Sequence, residues 1–355
     1  MFQMNLTAFM AMEPVDKLYL GLGLLTSLTS LLACLTLFVA FCCIPAIRNR
    51  ARYIVLCIVI SNAGASIGTL MSVAVKLGYP EVSWRSHPVC ESAAAIRVLF
   101  QISGYLWTST LALHLCFETW KKKLSIAPSM TWPAHCICWG FPTAIMATLV
   151  ALDVLGSDIG SKPGHVRPPW CLVDRQISDY NTFAILAGMG WRMAALIFCS
   201  IVYVLLQFKS LKLKTPKPQQ PERRQEGEEH QKPAENPNRQ LRHLLMVFVL
   251  MNIWGGWHYL ISQYRNDVDV MVGLEVVCDN IQGFVNTGFF FLFIRQVRKA
   301  MRKLCCQSFC KCCCKRLRDA NVSLPVEMEQ LREESGDHAL LLEAEDDRVH
   351  FTKEP

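Results

Sequence analysis

Charged residues are scarce in this sequence and are confined to a few segments. Only 18% of the 355 residues are Asp, Glu, Lys or Arg, whereas 52% are apolar, a balance that soluble domains rarely show. Several stretches almost free of charge exceed the roughly 20 helical residues that span a hydrocarbon core. The sequence predicts seven membrane-spanning helices, at Leu18–Ile44, Tyr53–Val75, Ser92–Phe117, Trp132–Leu152, Phe183–Leu206, Leu244–Ile261 and Val270–Ile294.

Polar outer faces are also missing from these stretches. A soluble helical bundle would show polar residues at the 3.6-residue period on each helix, so their absence argues against one. The first stretch is too long for the apolar region of a cleavable signal peptide and is predicted to remain as a signal-anchor. We therefore predict an all-α, multi-pass protein of the cell membrane, built as a seven-transmembrane helix bundle.

Motifs for catalysis are lacking as well. The sequence contains no P-loop, no zinc-protease motif and no nucleophile elbow, so we predict no enzyme, no cofactor and no metal. The net charge of +7 is explained by juxtamembrane basic residues facing anionic lipid, and we predict no nucleic-acid partner.

Basic residues are concentrated in alternate loops, which predicts the orientation. They favour the cytoplasmic side, and the richest clusters are Arg48, Arg50 and Arg52, then Lys121, Lys122 and Lys123, then Arg295, Arg298, Lys299, Arg302 and Lys303. This pattern puts residues 1–17 outside, where Asn5 begins a glycosylation sequon. The transmembrane domain covers 18–304, and 305–355 form a cytoplasmic cysteine-rich and acidic tail. Residues 209–241, rich in Pro, Glu, Gln and Lys, are predicted to be a disordered third intracellular loop.

Two cysteines fall on the predicted outer side. Of the 17 cysteines, these are Cys90, at the start of the third span, and Cys171, in the longest outer loop. Two lone cysteines in an oxidising compartment are predicted to pair and to hold that loop over the bundle, with two free thiols as the alternative. Cysteines that follow the last span beside basic residues indicate palmitoylation, with zinc binding as the alternative: Cys305, Cys306, Cys310, Cys312, Cys313 and Cys314.

Ionisable residues inside the spans are costly and therefore indicate function. Glu275, Asp279, Gln282 and Asn286 recur on one stripe of the seventh span. A rise of ~1.5 Å per residue puts Arg97, in the third span, about 10 Å below Cys90, at a depth similar to that of Asp279. We predict a polar ligand pocket open to the outside, lined by Arg97, Gln101, Arg192, Trp254, His258, Glu275, Asp279 and Gln282. The alternative is a set of Arg–carboxylate pairs that hold the helices together, and both can be true.

Several short motifs then indicate a family. They are Leu106-Trp107-Thr108, Trp139-Gly140-Phe141-Pro142, Trp170-Cys171-Leu172-Val173-Asp174 and Asn280-Ile281-Gln282-Gly283. With seven spans, an outer N-terminus, the cysteine pair and a palmitoylated tail, the sequence resembles the G-protein-coupled receptors. With these motifs in this order, it resembles the cyclic-AMP-receptor-like group among them. The rhodopsin-type signatures at the ends of the third and seventh spans are missing. The resemblance implies an extracellular ligand, a heterotrimeric G protein in the cytosol, and arrestin-type adaptors that bind the tail.

A transporter or proton-coupled carrier is the alternative function, because intramembrane charges also serve as relays. The sequence shows neither an inverted repeat nor a pair of interrupted helices, which many transporters have. The last span also lacks a lysine that would hold retinal. These absences favour the receptor.

Overall fold

Seven long helices and one short hairpin make up the part of the chain that the structure describes. The structure is a computed structural model, and it describes residues 14–45, 48, 50–78, 88–120, 131–157, 170–174, 177–214, 237–262 and 269–293. All of these belong to one compact unit, Met1–Arg298. The first three helices are α1 (Pro14–Cys43), α2 (Arg50–Gly78) and α3 (Pro88–Trp120).

The next two helices each contain a π-helical turn. Helix α4 consists of Thr131–His135, the π turn Cys136–Gly140 and Phe141–Ala151, and helix α5 consists of Tyr180–Ala184, the π turn Ile185–Met189 and Gly190–Lys214. Between them lie the antiparallel strands β1 (Leu155–Ser157) and β2 (Cys171–Val173). The last two helices are α6 (Pro237–Ser262) and α7 (Asp269–Phe293).

Five of the helices within these ranges are long and apolar enough to cross a membrane: Pro14–Cys43, Ala51–Leu77, Trp132–Ala151, Tyr180–Lys209 and Leu241–Ile261. The remaining two, α3 and α7, contain Arg97, Glu275 and Asp279, whose side chains are buried inside the protein. These three charges therefore lie inside the bundle and not on its apolar surface.

The predicted loop 209–241 begins later and ends earlier than the sequence suggests. Residues 209–214 continue α5 and residues 237–241 begin α6, so the predicted disorder does not apply to them. Contacts at the helix ends account for the extension, because Lys209 reaches a carbonyl of α3 and Arg242 one of α5. Pro237 suits the first turn of a helix, where no N–H is needed. Residues 215–236 lie outside the described part.

The helices pack into a ring with α4 on its outside. Neighbours around the ring are α1, α2, α3, α5, α6 and α7, and α7 closes the ring against α1. Helix α3 also contacts α4, α6 and both strands of the hairpin. Since α3 touches most of the other elements, a side chain on its inner face is well placed to meet several helices.

The surface of the bundle is apolar and its interior holds small and polar residues. On α1, the buried positions include Gly23, Ser27, Ser30 and Cys34 at spacings of three or four, whereas Leu25, Leu28, Leu32 and Leu35 are exposed. A Cβ at Gly283 of α7 would overlap Ser30 and Cys34, so this stripe lets α1 and α7 approach closely. Small residues at helix contacts and leucines outside are typical of helices packed within lipid.

The hairpin is fixed to α3 by a disulfide. Cys90, near the start of α3, is bonded to Cys171 of β2, with Cα atoms 5.5 Å apart, as the sequence predicts. The Cys171 N–H also donates to Ser72 Oγ of α2 at 3.1 Å. Both cysteines are buried in an apolar cluster from α3, α4, α5 and the hairpin that includes Ala94, Val98, Leu149, Val154 and Val173.

Several predictions concern residues outside the described part. They are glycosylation of Asn5, palmitoylation of Cys305, Cys306, Cys310, Cys312, Cys313 and Cys314, and the orienting residues Lys121–Lys123 and Arg295–Lys303. Each stays a prediction.

The disulfide should be required for efficient folding of the bundle. Removing a native disulfide from a small secreted domain costs about 2–5 kcal/mol, and here the hairpin would also lose its covalent hold on α3. We expect Cys171→Ser to lower surface expression severalfold, measured by flow cytometry of an epitope-tagged chain. The matched control is Cys136→Ser, which removes an exposed free thiol. Equal expression of the two variants would contradict the prediction.

Candidate functional site

Five ionisable side chains meet in the interior of the ring, and we call them the charge cluster: Arg97 of α3, Arg192 of α5, His258 of α6, and Glu275 and Asp279 of α7. The two arginines and two carboxylates are each at most 4% exposed. Two positive and two negative charges cancel, with His258 counted as neutral. Buried charges are tolerated when they are paired, and this composition allows complete pairing.

Arg192 makes the closest contacts in the cluster. Its Nη2 forms a short ion pair with Asp279 Oδ2, and its Nη1 donates to Glu275 Oε1 at 3.3 Å. Its Nε donates to the hydroxyl of Tyr105 at 2.9 Å. Every nitrogen of the guanidinium therefore has a partner, and Arg192 joins α5 to α3 and α7.

Two local features bring Arg192 into this position. The π turn Ile185–Met189 ends just before it, and Trp191 Nε1 satisfies a carbonyl of that turn by donating to Leu186 O at 3.1 Å. The wider turn changes which face of α5 points inward. Across the ring, a Cβ at Gly255 of α6 would overlap the Arg192 guanidinium. Glycine at this position therefore creates the space that Arg192 occupies.

Fewer of the guanidinium nitrogens have a hydrogen-bond partner in Arg97 than in Arg192. Its Nη1 forms a short hydrogen bond with Thr69 Oγ1, and the Thr69 hydroxyl in turn donates to Asn280 Oδ1 at 3.0 Å. Its Nη2 lies 3.7 Å from Asp279 Oδ2, which is an ion pair but too long for a hydrogen bond. Its Nε has no hydrogen-bond partner within the described part of the chain. The guanidinium carbon lies 3.9 Å from the centroid of the Trp170 ring, a cation–π contact with the residue before Cys171.

His258 has the most exposed side chain of the charge cluster. Its Nδ1 lies 2.5 Å from Glu275 Oε2, and its side chain is 17% exposed. Glu275 thus has Arg192 on one oxygen and His258 on the other. This arrangement connects α6 to the cluster through Glu275.

A small polar cavity lies against the cluster. Its volume is about 30 Å³, which is room for about two water molecules. Among its walls are Arg97, Gln101, Tyr105, Asp279 and Gln282. Gln101 donates to the Tyr105 hydroxyl at 2.9 Å, and Gln282 accepts a hydrogen bond from Asn252 of α6 at 3.3 Å.

Seven of the eight residues predicted to line a pocket therefore lie in the cluster or beside it. The eighth, Trp254, is half-buried and makes no hydrogen bond or ring contact with the cluster in the described ranges. Sequence reasoning missed Thr69, Tyr105, Trp170 and Gly255. The adjacent glycines Gly255-Gly256 inside an apolar span were the one signal that could have indicated a close approach. No group of side chains suited to a metal ion occurs among the described residues.

The fold and the cluster define a class of protein, a helical membrane protein with a paired polar core beneath a disulfide-tethered loop. The chain belongs to the seven-transmembrane receptor family of the secretin type, because the model of the family described as "7 transmembrane receptor (Secretin family)" matches residues 15–286. It is therefore a receptor rather than an enzyme. The resemblance to G-protein-coupled receptors that the motifs indicate is confirmed.

Individual relatives agree with this family. The chain is similar to G-protein coupled receptor 157 of Rattus norvegicus, with 25% identity over 273 residues that cover 74% of this chain and 78% of the relative. The protein of the same name in Mus musculus is 25% identical over 285 residues, covering 77% and 79%. The Homo sapiens protein is 24% identical over 275 residues, covering 74% and 76%.

The charge cluster should behave as a balanced set. Removing one partner from a buried ion pair costs about 3–5 kcal/mol, because the other charge is left unpaired. We expect Arg192→Ala and Asp279→Ala each to lower surface expression strongly. The double variant leaves Arg97 and Glu275, whose charges cancel, and should recover much of the loss. Expression is measured by flow cytometry, with Asp179→Ala, at an exposed position, as the control. A double variant worse than both single variants would contradict the pairing.

Proposed function

We propose that this protein is a seven-transmembrane receptor of the cell membrane that binds an extracellular ligand near the charge cluster and activates a heterotrimeric G protein. The observation that carries the proposal is the contact between Trp170 and Arg97. It joins the disulfide-tethered loop directly to a buried, incompletely paired cation. Family membership supports the receptor over a transporter.

The disulfide supports an orientation with the N-terminus outside. Disulfides persist in oxidising compartments, so the end of α3 that carries Cys90 belongs on the extracellular side. With α1, α2 and α3 each crossing the membrane, the start of α1 then lies outside as well. Arg48, between α1 and α2, and Arg52, in the first turn of α2, lie at the cytoplasmic end of these helices in this orientation, in agreement with the preference of basic residues for that side.

The ligand site lies beneath the hairpin. Arg97 is seven residues beyond Cys90 on α3, about 10 Å deeper, and Trp170 covers it. A group that binds Arg97 would alter its contacts with Trp170 and Asp279, and so would act on the loop and on α7 together. The ligand shifts the conformational equilibrium by its preference for one arrangement of these contacts.

Contacts at the opposite end of the helices support a second part of the mechanism. Lys209 of α5 donates to the carbonyl of Thr119 on α3 at 2.5 Å and lies 4.8 Å from the centroid of the Trp120 ring. Arg242 of α6 donates to Leu206 O of α5 at 3.2 Å. These bonds hold α3, α5 and α6 together on the cytoplasmic side. Their release would open the cleft that a G protein enters.

The ligand assignment predicts a selective loss of signalling in an Arg97 variant. Arg97→Gln keeps a shorter hydrogen-bonding side chain and removes a charge whose ion pair with Asp279 is, at 3.7 Å, longer than those of Arg192. We expect it to reach the surface and to lose basal or ligand-driven coupling about tenfold or more, since hydrogen bonds to charged groups contribute about 1.5–3 kcal/mol. The measurement is a panel of G-protein biosensors at matched surface density.

Ser103→Ala is the matched control for this experiment. Ser103 is a buried residue of α3 whose hydroxyl, within the described residues, bonds only to Leu99 O of its own helix. Signalling of Arg97→Gln equal to that of wild type and of this control would show the pocket assignment to be wrong.

Loss of a cytoplasmic contact should raise basal signalling, whereas loss of the Arg97 charge should lower it. Lys209→Gln removes the cation that bonds α5 to α3, and we expect basal coupling to rise roughly fivefold, which corresponds to one lost hydrogen bond of about 1 kcal/mol. Arg48→Gln is the control, because among the described residues the Arg48 side chain bonds to two carbonyls of α1, at Phe41 and Cys42. An unchanged or lower basal signal in Lys209→Gln would argue against a restraining role.

A further inference from the structure

Two side chains that line the cavity beside the charge cluster each have a buried polar atom without a hydrogen-bond partner in the described residues. Within the described residues, Arg97 Nε and Asp279 Oδ1 are buried and have no hydrogen-bond partner. Both residues line the same cavity. Buried polar groups are nearly always paired in native proteins, so this unmatched donor and acceptor call for an occupant.

The same two side chains face each other without a hydrogen bond. Arg97 Nη2 and Asp279 Oδ2 are separated by 3.7 Å, whereas Arg192 forms a shorter ion pair with that Asp279 oxygen. Arg97 therefore has the weakest hold on a carboxylate in the cluster. Its ion pair can be exchanged for one with a ligand while Arg192 keeps Asp279 and Glu275 in place.

Charge balance restricts what the occupant can be. With His258 counted as neutral, the charges of Arg97, Arg192, Glu275 and Asp279 already sum to zero. A bound anion alone or a bound cation alone would leave one buried charge uncompensated, which is strongly unfavourable. A ligand with one charge of each sign keeps the site neutral and allows a charge-assisted hydrogen bond at each end, and such bonds are stronger than neutral ones.

We propose, on the basis of the proposed receptor function, that the site takes a small zwitterion with one carboxylate and one ammonium group. The carboxylate binds Arg97 at Nε, and the ammonium group binds Asp279 at Oδ1. Free amino acids and other short amino-carboxylates belong to this chemical class.

Trp170 covers the Arg97 guanidinium from the hairpin side, and it has to move for such a ligand to enter. A cavity of about 30 Å³ has room for about two water molecules and is too small for an amino acid. Trp170 stacks on the Arg97 guanidinium from the hairpin side and otherwise packs against apolar residues of α1 and α7, among them Tyr19, Val272 and Val276. A carboxylate at Arg97 Nε forms an ion pair in the plane of the guanidinium, and the hairpin shifts to admit the ligand while Cys171 keeps it attached to α3.

The test uses the purified full chain in lipid nanodiscs and reads thermal unfolding, which needs no G protein. The probes are the proteinogenic amino acids and linear ω-amino acids, each compared with the carboxylate and the amine of the same carbon skeleton. We expect at least one zwitterion to raise the unfolding midpoint by about 2–4 °C at roughly ten times its Kd. Its two single-charge analogues should have little effect at the same concentration.

Variants that change the charge of the site should change which probe stabilises the protein most. A merely structural role of Arg97 and Asp279 would not produce such a change. Arg97→Gln leaves the site with one excess negative charge, so the matched amine should now stabilise the protein more than the zwitterion does. Asp279→Asn leaves one excess positive charge, and the matched carboxylate should gain in the same way. Ser103→Ala should keep the wild-type preference. If Asp279→Asn does not fold, Arg97→Gln alone decides.

Three results would overturn the proposal. They are stabilisation of the wild type by the carboxylate or the amine alone, no stabilisation by any zwitterion, and an unchanged probe preference in Arg97→Gln. Each leaves the receptor function standing if the biosensors report coupling. Conversely, a zwitterion that binds with the expected variant pattern but causes no coupling supports this site and contradicts the proposed signalling.

Discussion

The pairing of two arginines with two carboxylates inside an apolar bundle is the constraint on which the rest of the structure depends. Lipid offers these charges no solvation, so each must reach a partner on another helix. Arg192 meets this requirement by spanning from α5 to Tyr105 on α3 and to Glu275 and Asp279 on α7. The relative rotation of α3, α5 and α7 is thereby fixed more narrowly than apolar packing alone would fix it.

The hairpin extends this constraint to the edge of the bundle. Its covalent bond to α3 and its hydrogen bond to Ser72 of α2 leave it little freedom. The contact of Trp170 with Arg97 is therefore fixed in position, and it joins the hairpin to the charge cluster. Loop, disulfide and buried cation form one connected unit, and a molecule that contacts any part of it acts on the others.

The sequence predicts much of this arrangement, and its limits have physical causes. The helices, the cysteine pair and the inward stripe Glu275–Asp279–Gln282 follow from hydropathy, compartment chemistry and helical period. The roles of Tyr105 and Thr69 do not, because a hydroxyl on a mostly apolar helix becomes a partner only when another helix brings a guanidinium to it. Nor do the π turns, since a single wider turn leaves no periodic signal. The ends of the loop between α5 and α6 cannot be predicted from the sequence either, because contacts such as that of Lys209 with Thr119 depend on neighbouring helices.

The glycine that admits Arg192 has a mechanical consequence for α6. Gly255 is followed by Gly256, where a Cβ would press against Met193 of α5, so both positions favour the absence of a side chain. Each glycine lowers helix stability by about 0.8–1 kcal/mol relative to alanine, and glycine-containing pairs are common sites of bending. The glycines that make room for Arg192 thus give α6 a site where it bends easily, at the depth of the charge cluster. Glu275 lies beside these glycines, and the part of α6 that leads toward Arg242 is the longer of the two segments they separate.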